Sequence, residues 1–163
     1  MATEPIIRVM GEEEVIAVTF PALAAYHGQG ALAMLALTFQ ALNGMLALLP
    51  AMPRREEIAV LSGHPGPGVR DAFEFVTRAV TRGAYTVDRS LPEARYNPHG
   101  PMSYSFRLTV GERTVSAVLR DGVLPPRFFA LFKGGDPAEL SALKRQIAET
   151  ALATAPERSF ILS

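Results

Sequence analysis

Leu32, Leu35, Phe39, Leu42, Leu46 and Leu49 recur at spacings of three and four, which brings them to one face of an α-helix. Met34, Leu37, Ala41, Met45 and Leu48 fill the neighbouring faces. A helix that is apolar nearly all round must be covered on most sides, so the pattern predicts a long helix from about Ala31 through the domain interior. Pro50 and Pro53 end it. The stretch 31–49 has no charge over nineteen residues, close to the length that spans a bilayer. Gln40, Asn43 and Gly44 near its middle, with no Lys or Arg flanking its start, favour a buried helix and no membrane span.

Around this helix the pattern alternates between the two regular periods. "PIIRVM" reads as a short strand, and "EEEVIAV" as a helix start or a second strand. "TFPALAAYHG" predicts a short helix with Thr19 as N-cap and Pro21 in the first turn, stopping at Gly28 and Gly30. "EEIAVLSG" is a buried strand closed by Gly63, and "HPGPG" a loop. Val69, Phe73, Val76 and Val80 then step at helical spacing opposite Arg70, Asp71, Glu74 and Arg78, predicting an amphipathic helix that ends near Gly83.

"AYTVDRS" reads as a strand and "LPEARYNPHGP" as turns. Tyr104, Phe106, Leu108 and Val110 alternate with polar residues, the mark of a half-buried strand. "VGERT" turns it into the partner strand "TVSAVLR". "PPRFFALF" is a short helix with an aromatic face. Asp136, Pro137 and Glu139 form the capping box of a last helix with Leu140, Leu143, Ile147 and Ala151 on its inner stripe. The fold expected is α+β, a mixed β-sheet with an antiparallel hairpin packed on the long buried helix. One domain covers residues 1–163, with its core at about 15–120 and a C-terminal capping helix at about 136–154.

Sixteen basic residues balance sixteen acidic ones, which argues against nucleic acid as partner, since phosphate binding needs a basic surplus on one face. The pairs Arg54-Arg55 and Lys144-Arg145 read as solvated ends. Cysteine is absent, which removes disulfides, thiolate nucleophiles and Cys-containing zinc motifs. The N-terminal stretch carries an acidic run and no basic region before an apolar core. No secretory signal is therefore expected, and a cytoplasmic location fits.

All three histidines touch glycine or proline: "YHGQG" at His27, "SGHPGPG" at His64 and "NPHGP" at His99. Loops on a rigid scaffold are where ligating groups concentrate, and three imidazoles with one open position can hold zinc or another divalent metal. The plain alternative is three loop histidines that close turns. "SGHPGPGVRDA" also has the form of an anion pocket at a helix start. It lacks the P-loop pattern, and Asp71 there reads first as a complement to the helix dipole. Ser62 and Ser103 lie near His64 and His99 but in no nucleophile elbow. Tyr96 and Tyr104 flank the His99 loop, either to order a ligand and donate a proton or simply to pack.

"YHGQGALAMLALTFQAL" resembles the F-H-G-H-x-C-P-G-L opening of the FmdE-like family of formylmethanofuran dehydrogenase components. "EEIAVLSG…VRDAFEFVTRA" is similar to that family's strand, metal loop and V-D-A-I-Q-V-L-T-type helix. "YNPHGPMSYSFRLTVGERTVSAVLR" is similar to its Y-G-K-x-A-x-T-F strand and following T-G-K hairpin. The resemblance, over about residues 15–120, implies an FmdE/GAPDH-domain-like fold, a metal site, typically zinc, homodimers, and a place beside molybdenum- or tungsten-dependent one-carbon chemistry.

By position His27 matches the family's first histidine, Gln29 stands for the second, and Ala31 for the cysteine. The second-motif cysteine falls near Gly68, four residues after His64. With the thiolates gone, the expectation is a metal- or small-ligand-binding domain. His27, His64 and His99 would be its metal ligands, and Gln29, Tyr96 and Tyr104 would line the pocket. The alternatives are a small hydrolase or lyase using a His-bound water, with Tyr96, Tyr104 or Asp71 as acid or base, and a non-catalytic interaction module. The 31–49 helix or the Phe128, Phe129, Phe132 cluster would supply a dimer interface.

Overall fold

The first polar interruption of the chain becomes a hairpin turn, in which the Gly11 amide donates to Glu14 O at 2.8 Å. It joins β1 (Ile6–Met10) to β2 (Val15–Thr19) in an antiparallel pair with Val9 opposite Ile16. "EEEVIAV" therefore leads into a strand and not a helix. The computed structural model describes residues 3–91 and 103–163. Thr19 Oγ1 accepts from the Ala22 amide at 3.4 Å and opens α1 (Phe20–His27), as its sequence predicts.

Gly28, at φ 97°, closes α1, its amide reaching the Ala24 and Ala25 carbonyls. Gln29 at φ 63° and Ala31 at φ 50° are also left-handed, a conformation rare for side-chain-bearing residues. These turns re-aim the chain into α2 (Leu32–Ala47). Eleven of the sixteen residues of α2 are buried, Thr38 and Gln40 among them. Gln40 satisfies its amide by donating to Ala151 O and Thr154 O, both at 2.9 Å. Among the described residues no helix is long and apolar enough to cross a membrane.

The main sheet has the order β4-β3-β5-β6-β7. Its strands are β3 (Ile58–Ser62), β4 (Tyr85–Val87), β5 (Ser105–Val110), β6 (Arg113–Leu119) and β7 (Phe160–Leu162). Only β3 and β4 run parallel, joined by a crossover through α3 (Pro67–Thr77). The remaining pairs are antiparallel, and β5–β6 is the predicted hairpin with Leu108 opposite Val115. Inward residues of the sheet share one core with α2 and α3, where Phe73 meets Phe106 edge-on at 5.4 Å. The architecture is α+β, as expected.

Three local expectations need correction. The amphipathic stripe predicts a helix to about Gly83, yet α3 stops at Thr77, with Arg78 at φ 58° and Val80 38% exposed. Side-chain donors take the last carbonyls: Arg55, from some twenty positions away, bonds Phe75 O and Val76 O at 2.9 Å, and Arg82, five residues on, bonds Thr77 O at 3.0 Å and ties it to Ile58 O of β3 at 2.5 Å. Arg55 is thus a helix-end clamp and not a solvated charge. The Glu74 carboxylate accepts from the Thr81 amide at 3.1 Å and from the Thr81 hydroxyl, folding the following turn back onto the helix.

The capping box at α5 (Pro137–Leu152) is half formed. Asp136 accepts from the Ala138 amide at 3.0 Å, while Glu139 pairs with Arg127 of α4 (Pro126–Phe132). Third, the C-terminus adds elements that the periodicity does not predict, α6 (Pro156–Ser159) and β7. The Ser163 carbonyl accepts from the Ser116 amide at 2.7 Å, extending the sheet by one edge strand.

Candidate functional site

A cavity of about 520 Å³ lies where the β3–α3 loop, the starts of α2 and α3, the residue before β5, and α4 meet. Its lining is mostly apolar: Ala31, Met34, Pro67, Phe128, Phe129 and Phe132. Phe128 packs edge-on against Phe129 at 5.4 Å and Phe132 at 5.2 Å, so α4 forms one aromatic wall. Among the described residues, His64, Tyr104 and Lys133 are the polar side chains that line it.

His64 is positioned by its own loop. Ser62 Oγ accepts from the His64 amide at 3.1 Å and donates to the His64 carbonyl at 2.9 Å. The Gly66 amide donates to His64 Nδ1 at 2.9 Å. An Nδ1 that accepts carries no proton, so the neutral ring bears its hydrogen on Nε2. The ring lies 4.8 Å from Tyr104 at 35°, in tilted stacking. Burial, helped by the charge of Arg89, pushes the His64 pKa down to about 4. At neutral pH it is an uncharged donor in an apolar setting.

Glycine allows this packing. A Cβ on Gly66 would fall 2.6 Å from His64 Cε1 and 2.8 Å from Nδ1. A Cβ on Gly68 would fall 2.9 Å from Ala31 Cβ, so the starts of α2 and α3 touch through these two positions. Pro67 has no amide hydrogen, and the first bond into the helix is Arg70 N to Gly66 O at 3.1 Å. The Gly68 and Val69 amides precede it and have no acceptor among the described residues.

Of the predicted site residues, the structure brings His64 and Tyr104 together in this cavity. His27 turns to α3, where its Nδ1 pairs with Asp71 Oδ2 at 2.7 Å. Asp71 therefore serves as a histidine partner in addition to any role at the helix end. Neither His27 nor the exposed Gln29 lines the cavity. His99 and Tyr96 lie outside the described residues.

No group of three metal-ligating side chains occurs among the described residues. Of the imidazole nitrogens there, Nδ1 of His27 and Nδ1 of His64 are already engaged. Only His64 of these two lines the cavity, so the described residues bring no two imidazoles together there. Ser62 Oγ is spent on the His64 backbone, and Ser103 is fully buried outside the cavity lining.

Met34 and Lys133 escape sequence reasoning as site residues, while Gly66 and Gly68 enter it only within the loop "SGHPGPGVRDA". The phenylalanines of α4 are visible in the sequence only as an apolar cluster. The spacing of Phe128, Phe129 and Phe132 shows one aromatic face but not what it covers. No family model matches the chain, and no curated protein matches it.

Proposed function

We propose that the chain is a small-molecule-binding domain whose ligand occupies the cavity between α4 and the β3–α3 loop. The observation that carries this reading is the composition of the cavity: an apolar volume of about 520 Å³ with a few convergent polar groups, the usual make-up and size of a ligand site. Ala31, where the FmdE-like resemblance would put one cysteine, and Gly68, near which it would put the other, are neighbours in space and both line the cavity. On this reading a small-residue corner replaces a thiolate corner, and the space it frees joins the aromatic wall of α4. The function is binding, and no catalytic step is assigned.

Titration with 2-naphthylmethanol, a neutral apolar probe, followed by amide NMR, tests it. Saturable shifts are expected at Gly66, Gly68, Phe129 and Lys133. Met34→Trp, which fills the cavity from α2, should weaken binding about tenfold or more, the equivalent of at least ~1.4 kcal/mol. No saturable shift, shifts centred elsewhere, or unchanged affinity in Met34→Trp overturns the reading.

A further inference from the structure

Beside the Tyr104 hydroxyl, which can donate or accept, the polar groups described around the cavity are donors. His64 is 8% exposed, its Nδ1 is taken by Gly66, and its Nε2–H has no acceptor among the described residues. The Gly68 amide, at the start of the eleven-residue α3, precedes the first helical hydrogen bond and lines the same cavity. Lys133 contributes the one charged side chain of the described lining, and no Asp or Glu lines it. Just outside, the Lys144 ammonium sits 5.1 Å from the Phe132 ring centroid. Outside the lining, Arg127 pairs with Glu139, and His27 with Asp71.

A donor that a ligand covers loses its water and gains only if the ligand accepts from it, and the free amides of a helix start favour negative charge. Donors and a cation at one end, with rings and aliphatic groups over the rest, complement an amphipathic anion. A neutral hydrocarbon would leave the His64 Nε2–H unsatisfied, and a cationic ligand would face Lys133. A doubly charged phosphate would bring more charge than one ammonium, one imidazole N–H and one amide can answer.

We propose that the ligand is a monocarboxylate with an apolar body. Its carboxylate accepts from His64 Nε2–H and the Gly68 amide and faces the Lys133 ammonium, while its body lies against Met34, Phe128, Phe129 and Phe132. The inference rests on the cavity reading and specifies the ligand class for that same site.

An isosteric pair tests it: 2-naphthoate against 2-naphthylmethanol at pH 7, by calorimetry and NMR. Charge-assisted hydrogen bonds predict about ten- to a hundredfold tighter binding of the carboxylate. Lys133→Gln, an exposed substitution, should cut that preference about threefold or more. His64→Phe, which keeps a ring in place, should remove most of it. Because His64→Phe also strips the Gly66 amide of its acceptor, the wild-type imidazole is read directly. Its Nε2–H resonance should move on adding naphthoate and stay in place with the alcohol. If the alcohol binds in the cavity and the acid binds no better, the carboxylate inference falls and the cavity reading stands. If neither probe binds, both fall. A full preference retained in Lys133→Gln with an unmoved Nε2–H resonance overturns the assignment of the anion to this end.

Discussion

Acidification should destabilise this protein through His64, by an amount that its environment sets. In the unfolded chain an imidazole titrates near its ordinary 6.5, whereas burial holds folded His64 at about 4. Above pH 6.5 both states are neutral and His64 contributes no pH dependence. Between 6.5 and about 4 the unfolded chain takes up a proton that the folded chain refuses, so stability falls as pH falls. Below about 4 both states are protonated and the slope from this group vanishes. At ~1.4 kcal/mol for each pH unit of that gap, the full loss is about 3 kcal/mol. That is a large share of the ~5–15 kcal/mol that typically separates folded from unfolded.

Urea unfolding of wild type and His64→Phe at pH 7, 6, 5 and 4 isolates the term, because the carboxylates common to both chains largely cancel in the difference. Wild type should lose about 3 kcal/mol relative to the variant between pH 7 and pH 4, with most of the change below pH 6.5. A constant difference across the series would refute the assignment of a neutral, buried imidazole to the cavity.

The other predictions concern how the site and its frame are held. Gly66→Ala meets no backbone penalty at φ −63° but drives its Cβ into the His64 ring. It should cost about 1–3 kcal/mol by thermal or urea unfolding and shift the Tyr104 ring resonances; an unaffected Tm would show that the loop yields freely. Gln40→Leu keeps the volume but removes the donor shared by Ala151 O and Thr154 O. A loss of about 2 kcal/mol or more is expected by urea unfolding, with faster amide exchange at the end of α5. Arg82→Met should release the Thr77 and Ile58 carbonyls. A cost of about 1–2 kcal/mol and faster exchange in the last turn of α3 are the outcomes to measure, and neither change would mean that the clamp is ornamental.

The readings that survive contact with the structure are those whose cause is local. The stripe from Leu32 to Leu46, the Thr19 cap, the Gly28 stop and the β5–β6 alternation each depend on neighbours within a turn or across a tight hairpin. Their periodicity therefore determined helix, strand and the buried character of α2 before any coordinates. The end of α3 was not legible, because Arg55 reaches its carbonyls from some twenty positions away. β7 was equally hidden, since three residues gain strand geometry only by pairing with β6.

The site divides in the same way. Glycine and proline around His27 and His64 marked both as loop residues, and that much follows from backbone sterics alone. Which partner each ring meets is a long-range matter: His27 finds Asp71 across a separation of 44 positions, and His64 finds Tyr104 and the wall of α4. By itself, then, the amino-acid order determined the elements with a local cause, the α+β class and the turn-borne histidines, because those follow from short-range periodicity and dihedral preference. Only the tertiary structure decided that one imidazole lines a cavity and another meets a carboxylate, because packing of distant segments sets burial and partners, and these set what a ring nitrogen can do.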